Sequence, residues 1–258
     1  MADVLLEKKN GVGWVTLNRP ESRNALSLAL MRRLRALLAE VDEDPEVRVA
    51  VIRGNGPAFC AGHDLREMTG ADRDIHDFRE IFGACSELMQ FIHRMAPPVI
   101  AQVHGIATAA GCQLVAACDL AIAESGARFA TPGVKIGLFC TTPMVPLSRV
   151  IGRRRALEML LSGRFISAQE AFGFGLVNRV VPPETLQEAT DAWAGELAEF
   201  SRFTMAFGKV AFYAQIDQPD DKAFDYAKHT IVMNNLAEDA QNGIKAFLEK
   251  KSPDWKNR

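Results

Sequence analysis

Residues 99–123, VIAQVHGIATAAGCQLVAACDLAIA, decide the fold. VIAQV (99–103) is apolar and β-rich, His104-Gly105 marks a turn, AAGCQLVAA (109–117) reads as a helix, and DLAIA (119–123) is a short apolar run bounded by charge. A buried strand, a helix and a second buried strand in succession indicate a parallel sheet with both faces covered, an α/β chain. Met95 to Cys118 carries no formal charge, but Pro97, Pro98, Gln102, His104 and Gln113 interrupt the run, so no membrane span is expected.

Upstream, Val4–Lys8 and Val12–Leu17 flank Asn10-Gly11, a dipeptide that supplies positive φ at a hairpin turn. Ser27 can cap a helix whose apolar positions Leu30, Met31, Leu34, Leu37, Leu38 and Val41 recur at helical spacing. VRVAVIR (47–53) reads as a strand, followed by the Gly-rich loop GNGPAFCAGHDL and a long helical stretch ending near Met95. Downstream, LVNRVV is the last strand; from Glu184 to Lys251 the pattern is helical throughout. The expected organisation is a core over residues 1–190 and a helical region, 191–258, that packs on a neighbour rather than folding alone.

Length and composition agree with one buried core. The chain has 258 residues, 48% hydrophobic and 24% charged, which excludes collagen-like and disordered classes. Thirty basic residues against 32 acidic ones, a net charge of −2, give no field that would draw nucleic acid, so no nucleic-acid partner is expected. Five cysteines (Cys60, Cys85, Cys112, Cys118 and Cys140) contain no CxxC pair, and neither a disulfide framework nor a metal site is indicated. The first residues, MADVLLEKKNGVGW, lack the look of a signal or transit peptide, so the expected location is cytoplasmic.

Two loops could hold chemistry. In AFCAGHDL, Ala61 and Gly62 let backbone amides approach a ligand; in HGIATAAGCQL, Ala109, Ala110 and Gly111 open a helix whose first amides are unpaired and carry the positive end of its dipole. Two such donors converging would stabilise an oxyanion, although each loop taken alone is also an ordinary tight connection. GNGPAF lacks the third Gly of a dinucleotide fingerprint, and there is no P-loop, G-x-S-x-G or HExxH. Arg153-Arg154-Arg155 reads as a solvated helix start.

Over nearly its whole length the chain resembles the enoyl-CoA hydratase/isomerase (crotonase) superfamily. The resemblance is carried by VTLNRPESRNALS, AFCAGHDLREM, HGIATAAGCQLVAACDLAIA and GRFISAQEAFGFGLVNRVVP, and FATPGVKIGLFCTTP points to one subgroup within it. It implies a crotonase-type spiral of ββα repeats with a C-terminal helical trimerisation region, assembled as a homotrimer or a dimer of trimers. The implied ligand is a coenzyme A thioester, with no permanently bound cofactor, no metal and a place in fatty acid metabolism.

Residue by residue, the resemblance puts the thioester carbonyl on the backbone amides of His63 and Ala110. Arg23, Ala25, Ala61, Asp64, Leu65 and Arg66 lie along the CoA, and Phe139 and Cys140 beside the acyl group. The family's hydratases use two glutamates, and those positions here read Gln113 and Gly133. Neither can carry a proton at neutral pH, so weak or absent hydration is expected. Asp64 and Asp119 are the nearest substitute bases, with His63, Cys112, Cys140, Thr141 and Thr142 behind them. The alternatives are another CoA-thioester reaction (isomerisation, decarboxylation or thioester hydrolysis) and a non-catalytic acyl-CoA-binding or regulatory role. In the family, a Phe and a basic residue of the last helix sometimes reach a neighbour's CoA, which singles out Phe247, Lys250 and Lys251.

Overall fold

The structure, a computed structural model, describes residues 2–258. It opens on a hairpin of β1 (Val4–Lys9) and β2 (Val12–Leu17), with Asn10 and Gly11 both at positive φ, as a two-residue turn of this hand requires. Helix α1 (Leu28–Glu43) begins where the Ser27 hydroxyl accepts the Leu30 N–H at 3.2 Å, and its six apolar positions are all buried. There follow β3 (Val49–Gly54), α2 (Ile75–Arg94), β4 (Val99–Val103), β5 (Ile106–Thr108) and α3 (Ala110–Ala117). The spiral continues through β6 (Leu120–Glu124), β7 (Arg128–Ala130), α4 (Met144–Ile151), α5 (Arg153–Ser162), β8 (Ile166–Ser167), α6 (Ala168–Phe174) and β9 (Arg179–Val181).

Six strands form one sheet in the order β1-β2-β3-β4-β6-β9, antiparallel at β1-β2 and parallel elsewhere. Alternate side chains of these strands enter two different cores. Val15, Leu17, Ala50, Ile52, Val99, Ala101, Ala121 and Ala123 face α1 to α3 and the rest of the large core. Val12, Trp14, Val49, Val51, Ile100 and Ile122 face the opposite side. That second face is covered by α7 (Leu186–Ala198), through Leu186, Trp193 and Ala194. The division expected at residue 190 therefore falls inside a helix that belongs to the sheet.

A second layer holds β5, β7 and β8, joined by single bridges Cys60↔Ala107 and Leu26↔His63. Each turn of the chain thus gives one strand to the large sheet and a short extended piece to this layer, the ββα spiral. These short pieces carry the site.

Helices α8 (Arg202–Gln215), α9 (Asp220–Leu236) and α10 (Glu238–Leu248) complete the chain. α8 and α9 bury no residue fully, and α10 buries only Asp239. The Asp239 carboxylate accepts the Ser201 hydroxyl (2.5 Å) and the main-chain N–H groups of Lys256 (2.5 Å) and Asn257 (2.9 Å), while its own N–H donates to the Arg258 carbonyl at 3.0 Å. The Trp255 indole N–H donates to the Glu199 carbonyl at 2.8 Å, so residues 255–258 are clasped to the start of α8 and α10.

Candidate active site

The two Gly-containing loops meet. Residue 62 sits at φ +97°, where a Cβ would lie 2.9 Å from the Ala109 Cβ, 3.0 Å from the Thr108 carbonyl oxygen and 3.5 Å from the Ala110 nitrogen; only glycine permits this approach. At Gly111 a Cβ would land on the Cys60 carbonyl, so the start of α3 also rests directly on the first loop. Leu26 donates its N–H to the Gly62 carbonyl (2.7 Å) and accepts that of Asp64 (3.1 Å), a parallel bridge that turns the N–H of the intervening His63 away from Leu26. Ala110, the first residue of α3, has no carbonyl one turn behind it. Among the described residues, neither the His63 nor the Ala110 N–H has a protein acceptor.

The turn that aims the Ala110 amide is strained. Ala109 has φ 49° and ψ −116°, outside the regions an L-residue prefers, and is held there by its N–H to the Ala130 carbonyl (2.9 Å) and by the Gln113 N–H to its own carbonyl (3.0 Å). No glycine in the sequence announces this turn.

One turn into α3, Gln113 is buried, and its Oε1 accepts from the Cys85 thiol at 3.8 Å. Gly133 is buried too, and a Cβ there would lie 2.8 Å from the Leu138 carbonyl oxygen and 2.9 Å from the Cys140 Sγ. The space for a side chain at position 133 is thus already filled.

Of the substitute bases, Asp64 is committed: its carboxylate caps residue 66 and takes the Arg66 guanidinium at 3.0 and 2.9 Å, with Arg19 at 3.5 Å. The Arg66 hydrogen bond holds its pKa below the usual carboxylate range. Asp119 accepts from Val99 N–H (2.7 Å), Lys209 (2.6 Å) and the Tyr213 hydroxyl (2.9 Å), far from free. Both ring nitrogens of His63 are shut from solvent without a partner, edge-on to Phe82, and burial pushes the imidazole pKa down. Burial pushes the Cys112 thiol up to about 12, and Cys140 up likewise, so neither is a ready nucleophile.

The remaining expected ligand residues are arranged around the same loops. The Arg23 carbonyl accepts the Ala61 N–H at 3.0 Å, and the Arg23 side chain has no partner among the described residues. Ala25 is buried, Leu65 and Phe139 are exposed, and Arg66 keeps most of its side chain in solvent. Sequence reading missed Asn24, whose buried side chain donates to the carbonyls of Asn55 (2.9 Å) and Ala58 (2.8 Å) and accepts the Arg19 N–H (2.9 Å), locking the first two loops together. Among the described residues no group of three His, Cys, Asp or Glu could hold a metal ion, all five cysteines are free, and no helix is long and apolar enough to cross a membrane.

A two-layered ββα spiral with paired amides at a helix start defines a crotonase-type protein, and the sequence profile described as Enoyl-CoA hydratase/isomerase matches residues 7–258. The chain belongs to the enoyl-CoA hydratase/isomerase family. It is 46% identical over 249 residues to enoyl-CoA hydratase domain-containing protein 3, mitochondrial, of Rattus norvegicus, covering 96% of this chain and 82% of that protein. The crystal structure of the human protein of that name superposes with a TM-score of 0.96 at 42% identity, over 98% of this chain and 100% of that one. An enoyl-CoA hydratase of Mycobacterium smegmatis gives 0.95 at 45% identity, over 99% of each chain.

One expectation is overturned. The rat, mouse and human relatives are mitochondrial proteins, against the cytoplasmic location expected here. That expectation rested on the composition of the N-terminal residues.

Proposed function

We propose that the chain binds an acyl-CoA thioester with its carbonyl oxygen between the amides of His63 and Ala110, and that it does not run the family's two-glutamate hydration. The observation that carries this reading is the pairing of two unpartnered, adjacent amides with Gln113 and Gly133 at the glutamate positions. Backbone donors aimed at a thioester oxygen stabilise the enolate that forms when a proton leaves the α-carbon, and the dipole of α3 adds to this. They require no particular side chain, so His63 and Ala110 serve as donors whatever their side chains.

Hydration also needs a group that takes a proton from water and one that delivers it. Gln113 donates and accepts hydrogen bonds but holds no exchangeable charge at neutral pH, and Gly133 offers nothing. Each missing acid or base lowers the rate by about 10²–10⁴. The filled space at Gly133 favours a settled departure from hydratase chemistry, because a carboxylate cannot be placed there without moving Cys140 and the Leu138 carbonyl. A CoA-thioester reaction needing only enolate stabilisation, or binding without turnover, remains compatible with these residues.

In this reading Arg23 and Arg66 meet the CoA phosphates, Ala25, Ala61, Asp64 and Leu65 line its path, and Phe139 and Cys140 shape the acyl end. Helices α8 to α10 are the oligomerisation region of a homotrimer or dimer of trimers, with Phe247, Lys250 and Lys251 near a neighbour's ligand. Calorimetry with butyryl-CoA and an absorbance assay with crotonyl-CoA test the proposal together. The expected result is butyryl-CoA binding, with crotonyl-CoA hydration at least about 10²-fold below an ordinary enzyme rate of about 10 s⁻¹. Hydration at that ordinary rate overturns it.

A further inference from the structure

Behind Gln113 a cavity of about 740 Å³ opens between α2, α3, α4 and α8. From α3 it is lined by Gln113, Ala116 and Ala117, one face of the helix, so it begins one turn from the Ala110 amide and follows the helix to its far end. At 1.5 Å per residue, Ala110 to Ala117 spans about 10 Å, the reach of a medium-length acyl chain. Met89, Ala116, Ala117 and Pro146 make the middle of this channel apolar.

The far end is different in kind. His93 stacks on Tyr213 with ring centroids 4.0 Å apart and planes 11° from parallel. The Tyr213 hydroxyl donates to Asp119 Oδ1 at 2.9 Å, and Asp119 Oδ2 is taken by the Val99 N–H at 2.7 Å and the buried Lys209 ammonium at 2.6 Å. Lys209 also donates to the Pro97 carbonyl (3.0 Å), and Arg149 pairs with Asp217 at 3.2 Å at the rim. Every charge here has its counter-charge, so the end wall is polar but neutral. What remains for a ligand is two acceptors: the lone pair of the Tyr213 oxygen, whose own proton goes to Asp119, and one ring nitrogen of His93, whose imidazole burial holds toward its neutral form and whose N–H is taken by the Ala117 carbonyl.

We propose that this cavity receives the distal part of the acyl group and selects chains carrying a terminal hydroxyl over plain alkyl chains of the same length. The inference rests on the acyl-CoA reading above and adds the substrate class to it. A terminal hydroxyl carries the donor this end wall lacks and gives it to the Tyr213 oxygen, beside the acceptor nitrogen of His93. A methyl terminus holds the two acceptor lone pairs against hydrocarbon with no donor to fill them, which is the larger cost. A terminal carboxylate finds no unpaired cation.

The test is calorimetric titration of the full-length protein with octanoyl-CoA, its ω-hydroxy derivative and its ω-carboxy derivative, with butyryl-CoA as the short reference. The ω-hydroxy chain is expected to bind about tenfold more tightly than the plain and carboxylated chains. In Tyr213→Phe the ratio of hydroxylated to plain chain is expected to fall toward one. Equal affinities in the wild type overturn the inference without any variant, and so does a preference that survives intact in both Tyr213→Phe and His93→Leu. Butyryl-CoA binding without discrimination among the longer chains defeats this inference alone, whereas failure to bind any thioester defeats the acyl-CoA reading and takes this inference with it.

Discussion

Helix α1 and helix α9 are of nearly equal length, 16 and 17 residues, and meet the solvent in opposite ways. α1 buries all six residues of its apolar stripe, while α9 buries none and leaves Phe224, Ile231, Val232, Met233 and Leu236 between 58% and 76% exposed. α8 and α10 also expose Val210, Ile244, Phe247 and Leu248. A large exposed apolar patch on a subunit commonly marks a surface that another protein covers. α1 completes its packing within the subunit; α9 does not, which is what the proposed oligomerisation region requires.

The largest effect expected from this contrast is on assembly. Ile231→Asp combined with Met233→Asp puts charge on the exposed face of α9 and is expected to convert the proposed oligomer to monomer in light scattering, with little loss of helix by circular dichroism. An unchanged mass would break the comparison. In the spiral the balance reverses: Leu34→Ala, at a fully buried position of α1, is expected to cost about 2–5 kcal/mol in urea unfolding of a monomeric background.

Polar contacts in the spiral should matter less than its apolar layers. The Asp64 carboxyl has a folded pKa below its ordinary value because of Arg66, so its contribution is present above about pH 4 and is lost as pH falls through the lower, folded value. Because Arg66 is largely in solvent, Asp64→Asn is expected to cost only about 0.5–1 kcal/mol at pH 7. The difference from wild type should close on acidification in a pH series of unfolding curves.

What was legible in the sequence follows from the range of the signal. The Asn10-Gly11 hairpin, the Ser27 cap and the α1 stripe are local patterns, and the structure has each of them at the expected residues. The strands β1 to β4 and β6 of the large sheet are runs of five or six residues, long enough to be seen. β5, β7 and β8 are only two or three residues long, too short to show a period, and exist because neighbouring turns of the spiral pair with them. The site divides in the same way. Gly62 and Gly111 mark it in sequence, but the strained turn at Ala109 carries no glycine. The Asp119, Lys209 and Tyr213 cluster joins residues about 90 positions apart that no motif links.

The Asp239 clasp gives the molecule a temporal order. Its main-chain donors come from Lys256 and Asn257, 17 and 18 residues further along. During synthesis the spiral can close from its N-terminal end while the rest of the chain is still being made. The Asp239 carboxylate, however, has only the Ser201 hydroxyl to receive until those later residues have left the ribosome. The clasp on the C-terminal helices is therefore completed last, after the spiral's own core is in place.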